Sequence, residues 1–139
     1  MDEQMKAPLD IKDLQLIRPI RGAGTLNFSI EPGSAVVVVG RNGTGKSTLL
    51  QTLAGLLPAR SGGVYWKGQN VHQMSPEERA GCSALVASTP PRSSAMTVRD
   101  VVELGLRAGG RLSGQSHVLS IMDEAGISQW ANRSLNELS

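Results

Sequence analysis

The run GRNGTGKST, Gly40 to Thr48, constrains this chain more than any other segment. It fits the pattern G-x-x-x-x-G-K-[ST], with Gly40, Gly45, Lys46 and Ser47 at the fixed positions. Glycines let successive backbone N–H groups turn inward toward an anion, because no Cβ blocks the approach. Lys46 adds a full positive charge for β/γ-phosphates, and the Ser47 hydroxyl is of the kind that ligates Mg²⁺. A helix starting at this point adds its dipole and its unpaired N–H groups. The flanks agree. Ala35-Val36-Val37-Val38-Val39 is a β-branched run that reads as a buried parallel strand. Thr48 to Ala54 follows with apolar residues at helical spacing. Strand, glycine loop and helix in that order predict an α/β phosphate-binding core.

At 139 residues the chain has the length of one ordinary domain. Its formal charge is +2, with acids and bases interspersed, and aromatics make up 3%. That balance offers no nucleic-acid footprint and no base-stacking platform. The single cysteine, Cys82, excludes an intrachain disulfide and reads as a small, half-buried packing residue. The start, MDEQMKAPLD, lacks the apolar region of a signal peptide. No apolar stretch approaches the roughly 18 residues needed to span a bilayer. The expectation is a soluble, cytosolic chain without direct membrane insertion, so that any membrane association must come through a partner.

Along the chain, Leu9, Ile11, Leu14 and Leu16 suggest an early strand, interrupted by Pro19 and Gly22-Ala23-Gly24. Leu26, Phe28 and Ile30 alternate as a second strand. The phosphate-loop helix should stop between Gly55 and Pro58. Ser61-Gly62-Gly63 reads as a turn, then Val64-Tyr65-Trp66 as a strand bent back through Lys67-Gly68-Gln69-Asn70. Ser75-Pro76-Glu77-Glu78 opens a short helix, with Ser as cap and acids in the first turn. Ala84 to Ala87 is a further candidate strand, and Pro90-Pro91 to Ala95 a loop. Thr97 caps a helix from Val98 that Gly109-Gly110 closes. Ser116 to Ala125 and Gln129 onward read as helical. Within that tail, Val118 to Glu124 imitates an apolar strand ending in two carboxylates, but Val118, Ile121, Met122 and Ala125 share a helix face. His72 and His117 have no second ligand at metal spacing.

In this order the segments resemble the ATP-binding subunits of ABC transporters. LDIKDLQL is similar to the family's opening strand, and IEPGSAVVVVGRNGTGKSTLLQTLAGLLPARSGGVYWKGQNV to its stretch from the pre-loop turn onward. PEERAGCSALVAS resembles the approach to the glutamine loop, and NELS at 136–139 the start of the signature motif LSGGQ. TVRDVVELG is most similar to subunits importing iron-siderophore, haem or cobalamin. The implied fold class is α/β: a P-loop NTPase core of ABC type with an N-terminal antiparallel β part and the start of a helical subdomain, truncated before the second half of the sheet. Residues 1–139 would form one incomplete ATP-binding domain, 1–88 its β-rich and phosphate-loop part and 89–139 the start of its helical subdomain. The implied ligands are ATP and Mg²⁺, and the implied partners a membrane-spanning transporter subunit and a second ATP-binding subunit in a head-to-tail dimer. The membrane subunit would dock near Ala87 to Thr97 and the following helix.

By that resemblance the nucleotide-binding residues are Gly40, Arg41, Asn42, Gly43, Thr44, Gly45, Lys46, Ser47 and Thr48, with Thr48 at the α-phosphate. Arg18 falls near the adenine-stacking aromatic, and its guanidinium plane is a possible substitute; a solvated arginine is the competing reading. Tyr65 and Trp66 read as strand residues packing in the hairpin. Ser47 and Ser88 are the metal-side candidates, Ser88 standing where the family has a glutamine. The catalytic glutamate, the second carboxylate strand and the switch histidine have no counterpart, so no catalytic residue is assigned. The chain is expected to bind ATP without hydrolysing it. Stopping at Ser139 should also leave the Val36–Val39 strand and its helix short of neighbours. The alternatives are a non-catalytic nucleotide-binding or regulatory module and a soluble ABC-type ATPase without a membrane partner. Another phosphate-loop enzyme, a small-molecule kinase or GTPase, is disfavoured by the lack of Asn-Lys-x-Asp.

Overall fold

The structure is a computed structural model that describes residues 9–18, 24–87, 95–110 and 114–138. The chain divides into two compact units. One comprises 1–75 and 83–85; the other comprises 76–82 and 86–139.

The first unit is built on a four-stranded antiparallel sheet in the order β2-β1-β3-β4. The strands are β1 (Leu9–Leu16), β2 (Leu26–Ile30), β3 (Ala59–Trp66) and β4 (Gln69–Asn70). Alternation decides the face: Ile11, Leu14 and Leu16 of β1 are buried, while Lys12, Asp13 and Gln15 are exposed. Ile11 pairs with Val64 of β3, and both are almost wholly buried. On the other face the ammonium of Lys12 lies 5.6 Å from the Tyr65 ring centroid. Tyr65 and Trp66 are strand residues, paired with Asn70 and Gln69 across the hairpin. Helix α1 (Lys46–Leu53) buries Leu49 and Thr52 and packs on β1 and β3. The Thr52 hydroxyl, fully buried, donates to the carbonyl of Thr48 at 2.8 Å. Gly55, at φ 74, supplies the left-handed residue expected just past a helix end.

The three residues Ser61-Gly62-Gly63, expected as a turn, lie inside β3. They form a bulge instead. The β1–β3 register shifts between Lys12 and Gln15, where Asp13 and Gly62 both take positive φ, 48° and 72°. A Cβ on Gly62 would sit 2.1 Å from the Asp13 carbonyl oxygen, so only glycine fits. Asn27 of β2 closes the same irregularity. Its Oδ1 accepts from the Asp13 N–H at 2.8 Å and its Nδ2 donates to the Asp13 carboxylate at 3.1 Å. Glycine clusters mark both turns and bulges; which one forms depends on the strand opposite.

Two expected strands are not formed among the described residues. Ala35–Val39 carries no ladder partner, and Val36, Val37 and Val39 are 58%, 80% and 84% exposed. The segment 84–87 is also unpaired, with Val86 95% exposed. A β-branched run favours extended backbone, but a strand exists only where another offers hydrogen bonds. The sheet neighbours of β1 and β3 are already taken by each other, by β2 and by β4.

The second unit is helical: α2 (Pro76–Cys82), α3 (Val98–Ala108) and α4 (Gln115–Glu124). Thr97 caps α3 as expected, and the cap is reciprocal. The Asp100 N–H donates to the Thr97 hydroxyl oxygen at 3.2 Å, while the Thr97 N–H and hydroxyl donate to the Asp100 carboxylate at 2.8 and 2.7 Å. Val98 and Leu106 of α3 pack with Val118 and Met122 of α4 and with Ala131. The stretch resembling a carboxylate strand is therefore a helix, with Asp123 and Glu124 exposed. The helix expected from Gln129 onward is instead two single 3₁₀ turns, Ser128–Trp130 and Leu135–Glu137. The intervening chain pairs back on the start of α3. The Val98 N–H donates to the Arg133 carbonyl at 3.0 Å, the Leu135 N–H to the Met96 carbonyl at 3.1 Å, and Thr97 bridges Ser134.

Two outcomes follow from these contacts. Gly62→Ala should lower stability by about 2 kcal/mol or more, through positive φ and a clash with fixed backbone. Urea unfolding measures it, with Gly68→Ala, a turn glycine with open space around it, as the milder control. The second concerns acid. Hydrogen bonds from the Thr97 backbone and side chain hold the Asp100 carboxyl below the usual aspartate range, with Arg99 adding a smaller pull. A lowered folded pKa gives stability that is complete above the unfolded value, about pH 4, and lost as pH falls through the lowered one. Asp100→Asn should flatten that acid limb in pH-dependent thermal unfolding and leave the neutral-to-alkaline limb unchanged.

Candidate functional site

The loop from Gly40 to Thr48 is assembled by local bonds. The Thr44 N–H donates to the Arg41 carbonyl at 3.3 Å, and the Thr44 hydroxyl donates to the same oxygen at 2.8 Å. That closes a tight turn around Asn42 and Gly43, with Gly43 at φ 80. Gly45 is at φ 89 and is the N-cap residue of α1. Residues with side chains resist this conformation, so both glycines are set by backbone geometry. Having no side chain, Gly45 leaves the first turn of α1 without a side-chain cap, and that turn holds no acid. The positive end of the helix dipole therefore faces the loop uncompensated.

Gly40 plays a different part. A Cβ placed there would come within 2.9 Å of the Thr44 hydroxyl oxygen. Its carbonyl also matters: the Lys46 ammonium donates to the Gly40 and Arg41 carbonyl oxygens at 2.7 and 2.9 Å. The lysine thus folds over the loop with its charge at the loop's concave side, and a third ammonium proton remains for an anion. A cradle that only glycine fits, an uncapped helix start and a lysine anchored on loop carbonyls together suit a polyphosphate. Ser47 is exposed at the second helical position, where its hydroxyl is available to a cation beside such phosphates. Thr48 is half-buried, and its carbonyl is held by Thr52.

Arg18 is exposed in the bend that follows β1, as a solvated arginine would be. Ser88 lies outside the described residues, as do Pro19, 21–23, most of the loop after Ser88 and Ser139. Among the described residues no three His, Cys, Asp or Glu converge on a metal position. His72 has a packing role: its Nε2 hydrogen-bonds the Leu57 carbonyl at 2.8 Å, joining the β4 turn to the loop after α1. Cys82 is half-buried, its thiol directed to the Arg79 carbonyl at 3.4 Å. No helix among the described residues is long and apolar enough to cross a membrane. Sequence reasoning missed the Lys46 anchor and the Thr44 hydroxyl bond.

The ABC transporter family profile matches residues 23–139. The iron(3+)-hydroxamate import ATP-binding protein of Bacillus subtilis is 33% identical over 120 residues, covering 82% of this chain and 45% of that protein. The hemin import ATP-binding protein of a Chelativorans species is 35% identical over 115 residues, covering 82% and 44%. The cobalamin import ATP-binding protein of Halobacterium salinarum is 37% identical over 121 residues, covering 82% and 30%. Among solved structures, the ATP-binding subunit of an ABC transporter superposes with a TM-score of 0.75 at 23% identity, covering 92% of this chain and 54% of that one. The ADP conformation of an ATP-binding cassette of an ABC transporter gives a TM-score of 0.70 at 22% identity, covering 94% and 58%. The chain spans less than half the length of the curated relatives it matches.

Gly40→Ala should disturb the loop through one contact, the Thr44 hydroxyl. Adding Thr44→Ala should relieve it. A double-mutant cycle in urea unfolding should give a coupling of about 0.5–1 kcal/mol for this pair, and near zero for Gly40→Ala with Thr52→Ser on the buried side of α1.

Proposed function

The chain belongs to the ABC transporter family, and on that footing we propose that it is the ATP-binding part of an importer subunit. Residues 40–48 would hold the phosphates: backbone N–H groups of Arg41 to Thr48 around them, the Lys46 ammonium at the β/γ end, the Thr48 N–H and hydroxyl at the α-phosphate. Ser47 would hold Mg²⁺, which when bound screens charge between adjacent phosphates; Ser88 is proposed to stand on its other side. Arg18 is proposed at the base. The observation that carries the reading is the Lys46 ammonium anchored on the Gly40 and Arg41 carbonyls above an uncapped helix start.

Holding phosphates is one requirement of phosphoryl transfer to water; a positioned base is another. Residues 40–48 hold no carboxylate and a single side-chain amide, Asn42, exposed in the turn, and Asp123 and Glu124 sit on α4 in the other unit. We therefore propose that this chain binds ATP and does not turn it over. Its partners would be a membrane-spanning subunit and a second ATP-binding subunit in a head-to-tail dimer, on the cytoplasmic side of the membrane. The cargo would be an iron-hydroxamate, haem or cobalamin, by likeness to the relatives above. Residues 1–88 are proposed as the β-rich nucleotide part and 89–139 as the start of a helical subdomain.

Titration calorimetry with Mg-ATP should give saturable one-site binding to the full chain. Lys46→Ala should weaken it at least about tenfold, the loss of one charge-assisted contact. Phosphate release should stay at the background of the Lys46→Ala variant. ATP turnover that this substitution abolishes would overturn the non-hydrolysing reading, and absence of binding would overturn the nucleotide site.

A further inference from the structure

The two carbonyls that hold the Lys46 ammonium are not equivalent. The Gly40 carbonyl, at 2.7 Å, accepts from Lys46 alone among the described residues. The Arg41 carbonyl is shared by three donors. The Lys46 ammonium reaches it at 2.9 Å, the Thr44 hydroxyl at 2.8 Å and the Thr44 N–H at 3.3 Å. A carbonyl oxygen offers two lone pairs. The donors therefore compete for one acceptor, and each proton drawn to it weakens the hold on the others.

Thr44 is the fixed party in this contest. Its N–H closes the turn around Asn42 and Gly43, and the residue is half-buried. A Cβ on Gly40 would come within 2.9 Å of the Thr44 hydroxyl oxygen, so the glycine keeps clear the space that the hydroxyl occupies. Lys46, by contrast, carries three ammonium protons on a flexible four-carbon stem. Two of them are engaged on the loop. Bridging a β- and a γ-phosphate oxygen takes two, so one carbonyl must be let go. The Arg41 oxygen is released at the lower cost, because Thr44 continues to satisfy it.

We propose that Thr44 is a positioning residue for nucleotide binding. Its hydroxyl competes with Lys46 for the Arg41 carbonyl and so frees the ammonium to swing to the phosphates, while the bond to Gly40 stays as the pivot. This rests on reading residues 40–48 as the phosphate site. Affinity then depends on a hydroxyl directed at the loop's own backbone rather than at a phosphate. A side chain without a hydroxyl at position 44 leaves Lys46 tied to both carbonyls.

The test separates a competitor from a scaffold by the sign of the effect. In the full chain without nucleotide, carbon-13 relaxation at Lys46 Cε reports how tightly the ammonium is held, the signal being assigned by its absence in Lys46→Ala. Thr44→Ala should raise the order parameter at Lys46 Cε, since the shared carbonyl is left to the lysine. Loss of a merely structural bond would loosen the loop and lower it. Thr44→Ser, which keeps the hydroxyl, should bring it back toward the unaltered value. Titration calorimetry with Mg-ATP reads the consequence: binding about fivefold weaker in Thr44→Ala, the worth of one hydrogen bond, and recovered in Thr44→Ser. An order parameter unchanged or lowered in Thr44→Ala would overturn the competition. A raised order parameter with Mg-ATP binding unchanged or tighter would overturn the positioning role. Both results leave the nucleotide site standing. That site fails only if the unaltered chain does not bind Mg-ATP, and the proposal then falls with it.

Discussion

The pairing of β1 with β3 bears the first unit. These are the two interior strands of the sheet, and the Ile11–Val64 pair lies at their centre, nearly free of solvent. Helix α1 packs on these same two strands, and the phosphate loop is an extension of α1 at its N-terminus. The loop's conformation therefore inherits its rigidity from a hydrophobic contact some way off. Local bonds shape the turn, but the apolar ladder fixes the helix that aims it. The bulge at Asp13 and Gly62 serves the same end. It absorbs a mismatch in register without breaking the ladder, and Asn27 satisfies the backbone group that the bulge exposes.

The helical unit relies on a different economy. α3 and α4 bury few large side chains, and Val98, Leu106, Val118, Met122 and Ala131 make up its buried cluster. Much of its definition comes from polar closure: a capping box at Thr97 and Asp100, and a second at Ser134 and Glu137. The two boxes sit side by side, because Thr97 bridges Ser134. Each satisfies N–H groups that a short helical turn leaves open.

What could be read from the sequence was what is encoded within a few residues. Thr97 as the cap of α3, the helix face through Val118 and Met122 and the strand alternation at Ile11 all express themselves locally, and the structure bears them out. The family likeness was legible in the full run GRNGTGKST and in the ordered segments on either side of it, from LDIKDLQL to NELS. What went astray depended on distant partners. Val36 to Val39 has the composition of a core strand and was expected to be short of neighbours; Val36, Val37 and Val39 are exposed as that implies, but without a partner the strand itself does not form. Gly62 marks a special backbone angle, but only β1 across the ladder turns that angle into a bulge.

The return of the chain onto the start of α3 has a mechanical side. Met96 and Leu135, and Val98 and Arg133, are linked backbone to backbone over separations of 35 to 39 residues. These bonds bypass both helices. The segment entering α3 is therefore held to residues 133 and 135 by its own backbone, by a route that does not run through α4.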